Sequence, residues 1–160
     1  MTSIQSEELP PGYTLYAGYP SVAAYRNLRA SSGLTPVTES MAQGAVTGSW
    51  YGCYVSHAPT LQPVAMGRII GDGGWYFHIV DMATLPEHQR KGLGATVMRH
   101  LLAYIAENSP KDGKPFINLF ADPPGRRLYE KTGFVEGVSV GEVGMILGSS
   151  VEYTPGGHEQ

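Results

Sequence analysis

Seven consecutive residues, Gln89-Arg90-Lys91-Gly92-Leu93-Gly94-Ala95, have the types and spacing to do chemistry. They open the segment with the clearest helical spacing, carried by Leu93, Val97, Leu101, Tyr104 and Ile105. The first amides of a helix lack partners inside it, point outward and lie at the positive end of the helix dipole. A pyrophosphate suits such a site. Gly92 and Gly94 remove side chains that would keep a phosphate away, and Arg90 and Lys91 add local positive charge to a chain of formal net charge −3. Two other phosphate motifs fail: G-x-G-x-x-G needs glycine where Val97 stands, and no G-x-x-x-x-G-K-[ST] occurs. Taken alone, the segment also fits a glycine-rich helix start with exposed basic residues.

The elements around this loop set what it can face. Residues 75–84 (WYFHIVDMAT) predict a long, mostly apolar strand in a central position. Strands are also expected over 13–17, 49–57, 62–70 and 115–121, with Gly71-Asp72-Gly73-Gly74 as a hairpin turn. Helices are expected from Pro20 to Ala30, with Val22, Tyr25 and Leu28 inward, and from the Thr38 cap to Ala45. The helix over 92–107 ends before Pro110, and Asp122 caps a short helix stopped by Gly133. Phe134 starts a last strand region that 144–148 closes. This order predicts one α+β domain over 11–153, between a flexible 1–10 and a disordered 154–160.

Composition narrows the function. The chain of 160 residues is 42 % apolar and only 16 % charged, with no basic block, which argues against a nucleic-acid surface. An acidic ligand must therefore be held locally. Cys53 is the only cysteine, so internal disulfides and multi-cysteine zinc sites are excluded, and no metal is expected. Cys53 reads as a core thiol or as a nucleophile with no evident partner. The polar, acidic start is unlike a signal peptide, and no apolar run approaches the roughly 20 residues that span a bilayer. A cytoplasmic protein without membrane contact is the expectation.

Gln89-x-x-Gly92-x-Gly94 matches the Q/R-x-x-G-x-G/A coenzyme A signature, and the chain here resembles the GNAT (general-control-related N-acetyltransferase) superfamily. The preceding Val80-Asp81-Met82-Ala83-Thr84-Leu85-Pro86 looks like the family's fourth strand and its lead into the pyrophosphate loop. Leu128-Tyr129-Glu130-Lys131-Thr132-Gly133-Phe134 resembles its second signature, a Tyr four residues before a Gly-Phe pair. Together these cover about 78–134; the N-terminal third matches only in its order of elements. The resemblance implies a mixed, mostly antiparallel sheet of six to seven strands flanked by helices. A V-shaped splay between strands 4 and 5 would accept acetyl-CoA as co-substrate. Backbone groups of Met82, Ala83 and Thr84 would pair with the pantetheine arm, one amide holding the thioester oxygen. Gln89, Arg90, Lys91, Gly92, Leu93, Gly94 and Ala95 would hold the pyrophosphate.

Acyl transfer to an amine needs a neutral amine, a stabilised oxyanion and a proton for the departing thiolate. By resemblance Tyr129 occupies the general-acid position; the alternative is a Tyr packed on the core. His78, on the presumed fourth strand, resembles where some members carry a base; the alternative is a satisfied core His. Asp81 is the second candidate base, on the opposite face if the strand is regular, or a structural carboxylate. Asp122 departs from the family's usual Asn: it can accept but not donate a bond to the pantetheine, and Pro123-Pro124 stiffens the helix start. Arg126 and Arg127 fit either the adenosine phosphates or a solvated helix face. Trp50, Tyr51, Tyr54, Trp75, Tyr76 and Phe77 fit an acceptor pocket or the core, and Asp72 an acceptor ammonium or its own turn.

The reading is an acetyl-CoA-dependent transferase acting on a small-molecule primary amine by direct attack in a ternary complex, as monomer or homodimer. Peptide or protein lysine or N-terminal acetylation is the alternative within enzymes. A non-catalytic acyl-CoA-binding module is the rival from another class, and a Rossmann-like nucleotide binder a distant third.

Overall fold

The structure, a computed structural model, describes residues 3–4 and 9–146. Its strands are β1 (Ser3–Ile4), β2 (Tyr13–Ala17), β3 (Tyr51–His57), β4 (Gln62–Gly71), β5 (Tyr76–Thr84) and β6 (Phe116–Leu119). Its helices are α1 (Val22–Ser31), α2 (Glu39–Thr47), α3 (Leu93–Asn108) and α4 (Arg126–Lys131). The strands lie in chain order in one sheet, antiparallel throughout except for the parallel pair β5–β6.

Local chemistry explains the boundaries. Ser21 Oγ accepts from the Ala24 amide at the start of α1, and Thr38 Oγ1 accepts from the Met41 amide at the start of α2, both at 3.2 Å. Asp72 Oδ1 accepts from the amides of Gly74, Trp75 and Tyr76 at 2.8, 2.8 and 3.1 Å, which closes the β4–β5 hairpin. These donors hold the exposed carboxyl below its ordinary value, and turn formation is the role the structure gives Asp72.

The sheet is covered on both faces. Helix α3 packs on β3, β4 and β5, while α1 packs on β4 and β5 from the other side. Between the sheet and α3 the buried Ile69, Phe77, Val97, Leu101 and Ile105 form the centre of the core. Gly67 of β4 has no room for a side chain. A Cβ there would fall 2.5 Å from Met82 Sδ and 2.9 Å from both Val97 and Leu101. Gly67→Val is therefore expected to overpack this layer and cost about 1–3 kcal/mol, measurable by urea unfolding. An unchanged midpoint would show that α3 can shift away freely.

Gly67 also marks an irregularity. Met66 pairs with Ala83 and Arg68 with Val80, so Gly67 alone faces both Asp81 and Met82. This β-bulge puts Asp81 at φ +55°, a left-handed conformation that Asp tolerates better than most residues.

Three expectations differ from what is found. Five strands have four residues or more, fewer than the six to seven expected, and the two-residue β1 extends the sheet at its β2 edge. Ser3–Ile4, within the stretch expected to be flexible, pairs with Tyr16 and Leu15. No strand follows Phe134 among the described residues: Gly137–Val140 is a 3-10 turn and 141–146 is irregular. Gly141 takes φ +84° and the Glu142 amide donates back to the Gly137 carbonyl, so the chain turns where a strand would continue. Residues 147–148 of the expected closing strand, and the tail 154–160, lie outside the described residues.

Candidate active site

A fork in the sheet organises the site. Strands β5 and β6 pair from Tyr76–Phe116 to Ile79–Leu119, where β6 ends. Strand β5 continues to Thr84, so the β6-side edge of Val80 to Thr84 has no strand partner among the described residues. The splay expected between strands 4 and 5 would open here, where β6 ends and β5 runs on. Ala83 is buried and Met82 packs its sulfur toward Gly67, so both would offer a ligand backbone rather than side chain.

The open end of the fork leads into the Gln89–Ala95 loop. After a 3-10 turn at Pro86–His88, Gln89 Nε2 donates to the Thr84 carbonyl at 3.1 Å and ties the loop to β5. Arg90 at φ +60° and Gly92 at φ +81° swing the chain into α3. The first bond of α3 runs from the Thr96 amide to the Gly92 carbonyl at 3.0 Å, so the amides of Leu93, Gly94 and Ala95 precede any helical acceptor. A Cβ on Gly94 would sit 3.5 Å from Leu128 Cδ2 and 3.6 Å from Thr84 Oγ1, in ordinary contact where β5, α3 and α4 meet. This cradle of bare amides fits a pyrophosphate. Lys91 is partly committed elsewhere: its Nζ donates to the Tyr13 hydroxyl at 3.1 Å, and that hydroxyl meets His88 Nδ1 at 2.9 Å.

Tyr129 lies half-buried on α4, its ring edge-on to Phe134 at 6.4 Å between centroids. The ring passes over Gly125, where a Cβ would fall 2.8–2.9 Å from Cε2, Cζ and the hydroxyl. Burial, and then the Asp122 carboxylate, push the phenol above its ordinary value, so it remains protonated at neutral pH and can donate. Tyr129 borders a cavity of about 670 Å³ shared with Tyr76, Asn118, Phe120 and Arg126. Arg126 forms an exposed ion pair with Glu136, a kind of pair that water and salt exchange easily. Asp122 is exposed and makes no side-chain cap to the turn it begins. Arg127 is exposed.

His78 is half-buried on β5, one residue before the last β5–β6 pair. Its Nδ1 meets Oδ1 of Asn118, its direct partner on β6, and its ring stands edge-on to Phe120 at 5.3 Å.

Asp81 is brought to the α1 side of the sheet by the bulge, not to the face opposite His78 that a regular strand predicts. Alternation places His78 and Val80 on one face with Arg68, and Asp81 binds that same Arg68. Its carboxylate accepts from Tyr25, Arg29 and Arg68, with Arg68 Nε at 2.5 Å. Burial alone would raise the carboxyl, but the Tyr25 hydroxyl and the two guanidiniums outweigh it and hold Asp81 below its ordinary value. A carboxylate so paired is a poor proton acceptor, and its work here is to anchor α1 to the bulge.

Cys53 is buried and its thiol is pushed up to about 12 by burial, which fits a core residue and not a nucleophile. Of the aromatics considered for an acceptor pocket, Phe77 and Tyr54 are buried, Trp50 packs on Phe77 and Tyr104, and Tyr51 stacks on Tyr104 at 3.5 Å. Trp75 and Tyr76 are exposed beside Phe116. Asn118, Gly67 and Gly125 escaped the sequence reading. Asn118 alone carried a signal, as the one polar residue in the strand Phe116–Leu119.

The family profile described as an acetyltransferase (GNAT) domain matches residues 50–136, from just before β3 to just past α4. No curated protein matches the chain. A solved structure from meticillin-resistant Staphylococcus aureus, described as a protein of unknown function and probable acetyltransferase, superposes with TM-score 0.77 at 29 % identity, covering 85 % of this chain and 98 % of that one. A GNAT-family acetyltransferase from Streptococcus pneumoniae follows with TM-score 0.71 at 21 % identity, over 87 % and 99 % of the chains. The ribosomal-protein-S18-alanine N-acetyltransferase of Escherichia coli shares the fold at TM-score 0.63 and 17 % identity, over 78 % of each chain.

Proposed function

Because the chain belongs to the GNAT acetyltransferase family, we propose that it transfers acetyl from acetyl-CoA to the primary amine of a small molecule, by direct attack within a ternary complex. The observation that carries the reading is the fork: the open β5 edge from Val80 to Thr84 runs straight into the bare amides of α3. An extended thioester with a pyrophosphate at its far end has this shape and polarity.

Each residue has one task. The amides of Leu93, Gly94 and Ala95, with Arg90 beside them, hold the pyrophosphate, and Gln89 fixes the loop that presents them. Lys91 adds charge at the loop's β2 side. The open edge at Met82, Ala83 and Thr84 pairs with the pantetheine arm, and one edge amide donates to the thioester oxygen as charge grows on it. Asp122 accepts from the pantetheine, and Arg126 trades Glu136 for a ligand phosphate. Acetyl-CoA, when bound, supplies the activated acetyl group. His78 Nε2 takes a proton from the acceptor ammonium, whose pKa of about 10.4 keeps it charged at neutral pH. The Tyr129 hydroxyl gives a proton to the sulfur that leaves.

The test is thiol release from acetyl-CoA across arylalkylamines, polyamines, amino sugars, amino acids and lysine or N-terminal peptides. Release with one small amine supports the proposal; release with peptides alone replaces it with protein acetylation. Coenzyme A binding without release from any amine favours a non-catalytic binder.

A further inference from the structure

We propose that Asn118 is a positioning residue that sets the tautomer of His78, so that Nδ1 carries the proton and Nε2 presents its lone pair. The inference rests on the reading of His78 as the base. Asn118 Oδ1 can only accept, so the ring nitrogen it faces must donate. Among the described residues no other hydrogen bond reaches the imidazole, so this one contact selects between the two neutral forms.

The placement is built into the sheet. His78 and Asn118 are direct partners in the parallel β5–β6 register, and both strands are paired there, one residue short of the fork. Backbone hydrogen bonds of the sheet therefore hold the two side chains in step, while Phe120 stands edge-on against the imidazole at 5.3 Å. Asn118 is also costly at this position. Its Nδ2 is enclosed and has no partner among the described residues, in a strand whose other residues are Phe116, Ile117 and Leu119. Turning the amide over would pair that donor with Nδ1 and favour the opposite tautomer, so the orientation with Oδ1 on Nδ1 is what the tautomer of His78 reports. Its Oδ1, turned to His78, is what Asn supplies and its apolar neighbours lack.

The experiment is ¹⁵N spectroscopy of the imidazoles at a pH where they are neutral, with the His78 signals assigned through a His78→Gln variant. The wild-type protein is expected to show a protonated Nδ1 and an unprotonated Nε2. Asn118→Leu is expected to move His78 toward the opposite tautomer and to lower kcat by about ten- to a hundredfold, a part of what a general base contributes, with the KM for acetyl-CoA unchanged. Asn118→Asp keeps the acceptor, and so should keep the tautomer and more of the activity than Asn118→Leu. It also keeps the test alive should the leucine variant not fold. An unprotonated Nδ1 in the wild type, or a tautomer indifferent to both substitutions, overturns the assignment. A His78→Gln variant with unchanged kcat would instead remove the base reading, a failure separate from any change in the tautomer that Asn118 selects.

Discussion

Replacing Tyr129 by Phe is expected to lower kcat by about 10²–10⁴-fold while leaving the affinity for coenzyme A unchanged. The substitution keeps the ring that packs edge-on to Phe134 and passes over Gly125, and deletes only the hydroxyl. What is lost is a proton donor. Burial and the Asp122 carboxylate hold the phenol above its ordinary value, which keeps it protonated through the neutral range. On the proposed mechanism the departing thiolate takes that proton. Steady-state turnover and calorimetric titration of coenzyme A check the two halves separately. Unchanged turnover would leave Tyr129 a packing residue, and weakened binding with unchanged turnover would make it a wall of the coenzyme site.

The second large effect is on stability. Asp81→Asn is expected to destabilise the fold by about 3–5 kcal/mol, because it leaves the guanidiniums of Arg29 and Arg68 enclosed without their counter-charge. Those side chains are 13 % exposed and the carboxylate 9 %. Asn tolerates the left-handed backbone at 81, so the change isolates charge from conformation. Arg68 also donates to Ser49 Oγ at 3.0 Å and to the Ala45 carbonyl, so the loss reaches α2 as well as α1. The pH dependence has a definite sign. The folded-state pKa of Asp81 lies below its ordinary 3.8, so its contribution is present above that value and is lost as pH falls through the depressed one. Urea unfolding of both proteins at neutral and acid pH checks this: the gap between them should narrow in acid. A stable but inactive variant would return Asp81 to the chemistry.

The pattern of what the sequence disclosed follows from the range of the interactions. Features written within a few residues were legible. The Thr38 cap, the Asp72 turn and the Gly92 start of α3 each depend on bonds spanning two to four residues. Features set by distant partners were not. The bulge at Asp81 brings one carboxylate to Arg29 and Arg68, 52 and 13 residues away, and no local periodicity encodes that. The placement of Asn118 against His78 depends on a parallel register across 40 residues that include all of α3. The expected strand after Phe134 failed for the opposite reason. Val135, Val138, Val140 and Val143 look like strand residues, yet all are exposed: Gly137–Val140 winds into a 3-10 turn and Gly141, at φ +84°, breaks the extended run. For the site, the glycine-rich start of α3 was readable, while its place at the end of the open β5 edge depends on the register of β5 and β6.

On the proposed function, the open β5 edge and the start of α3 form one coenzyme A site. The most direct test of this is an amide ¹H–¹⁵N titration of the protein with coenzyme A. The account predicts that the resonances of Met82, Ala83 and Thr84 and those of Leu93, Gly94 and Ala95 shift together and saturate at one affinity. Saturating shifts confined to other parts of the chain, or none at all with coenzyme A, would contradict it.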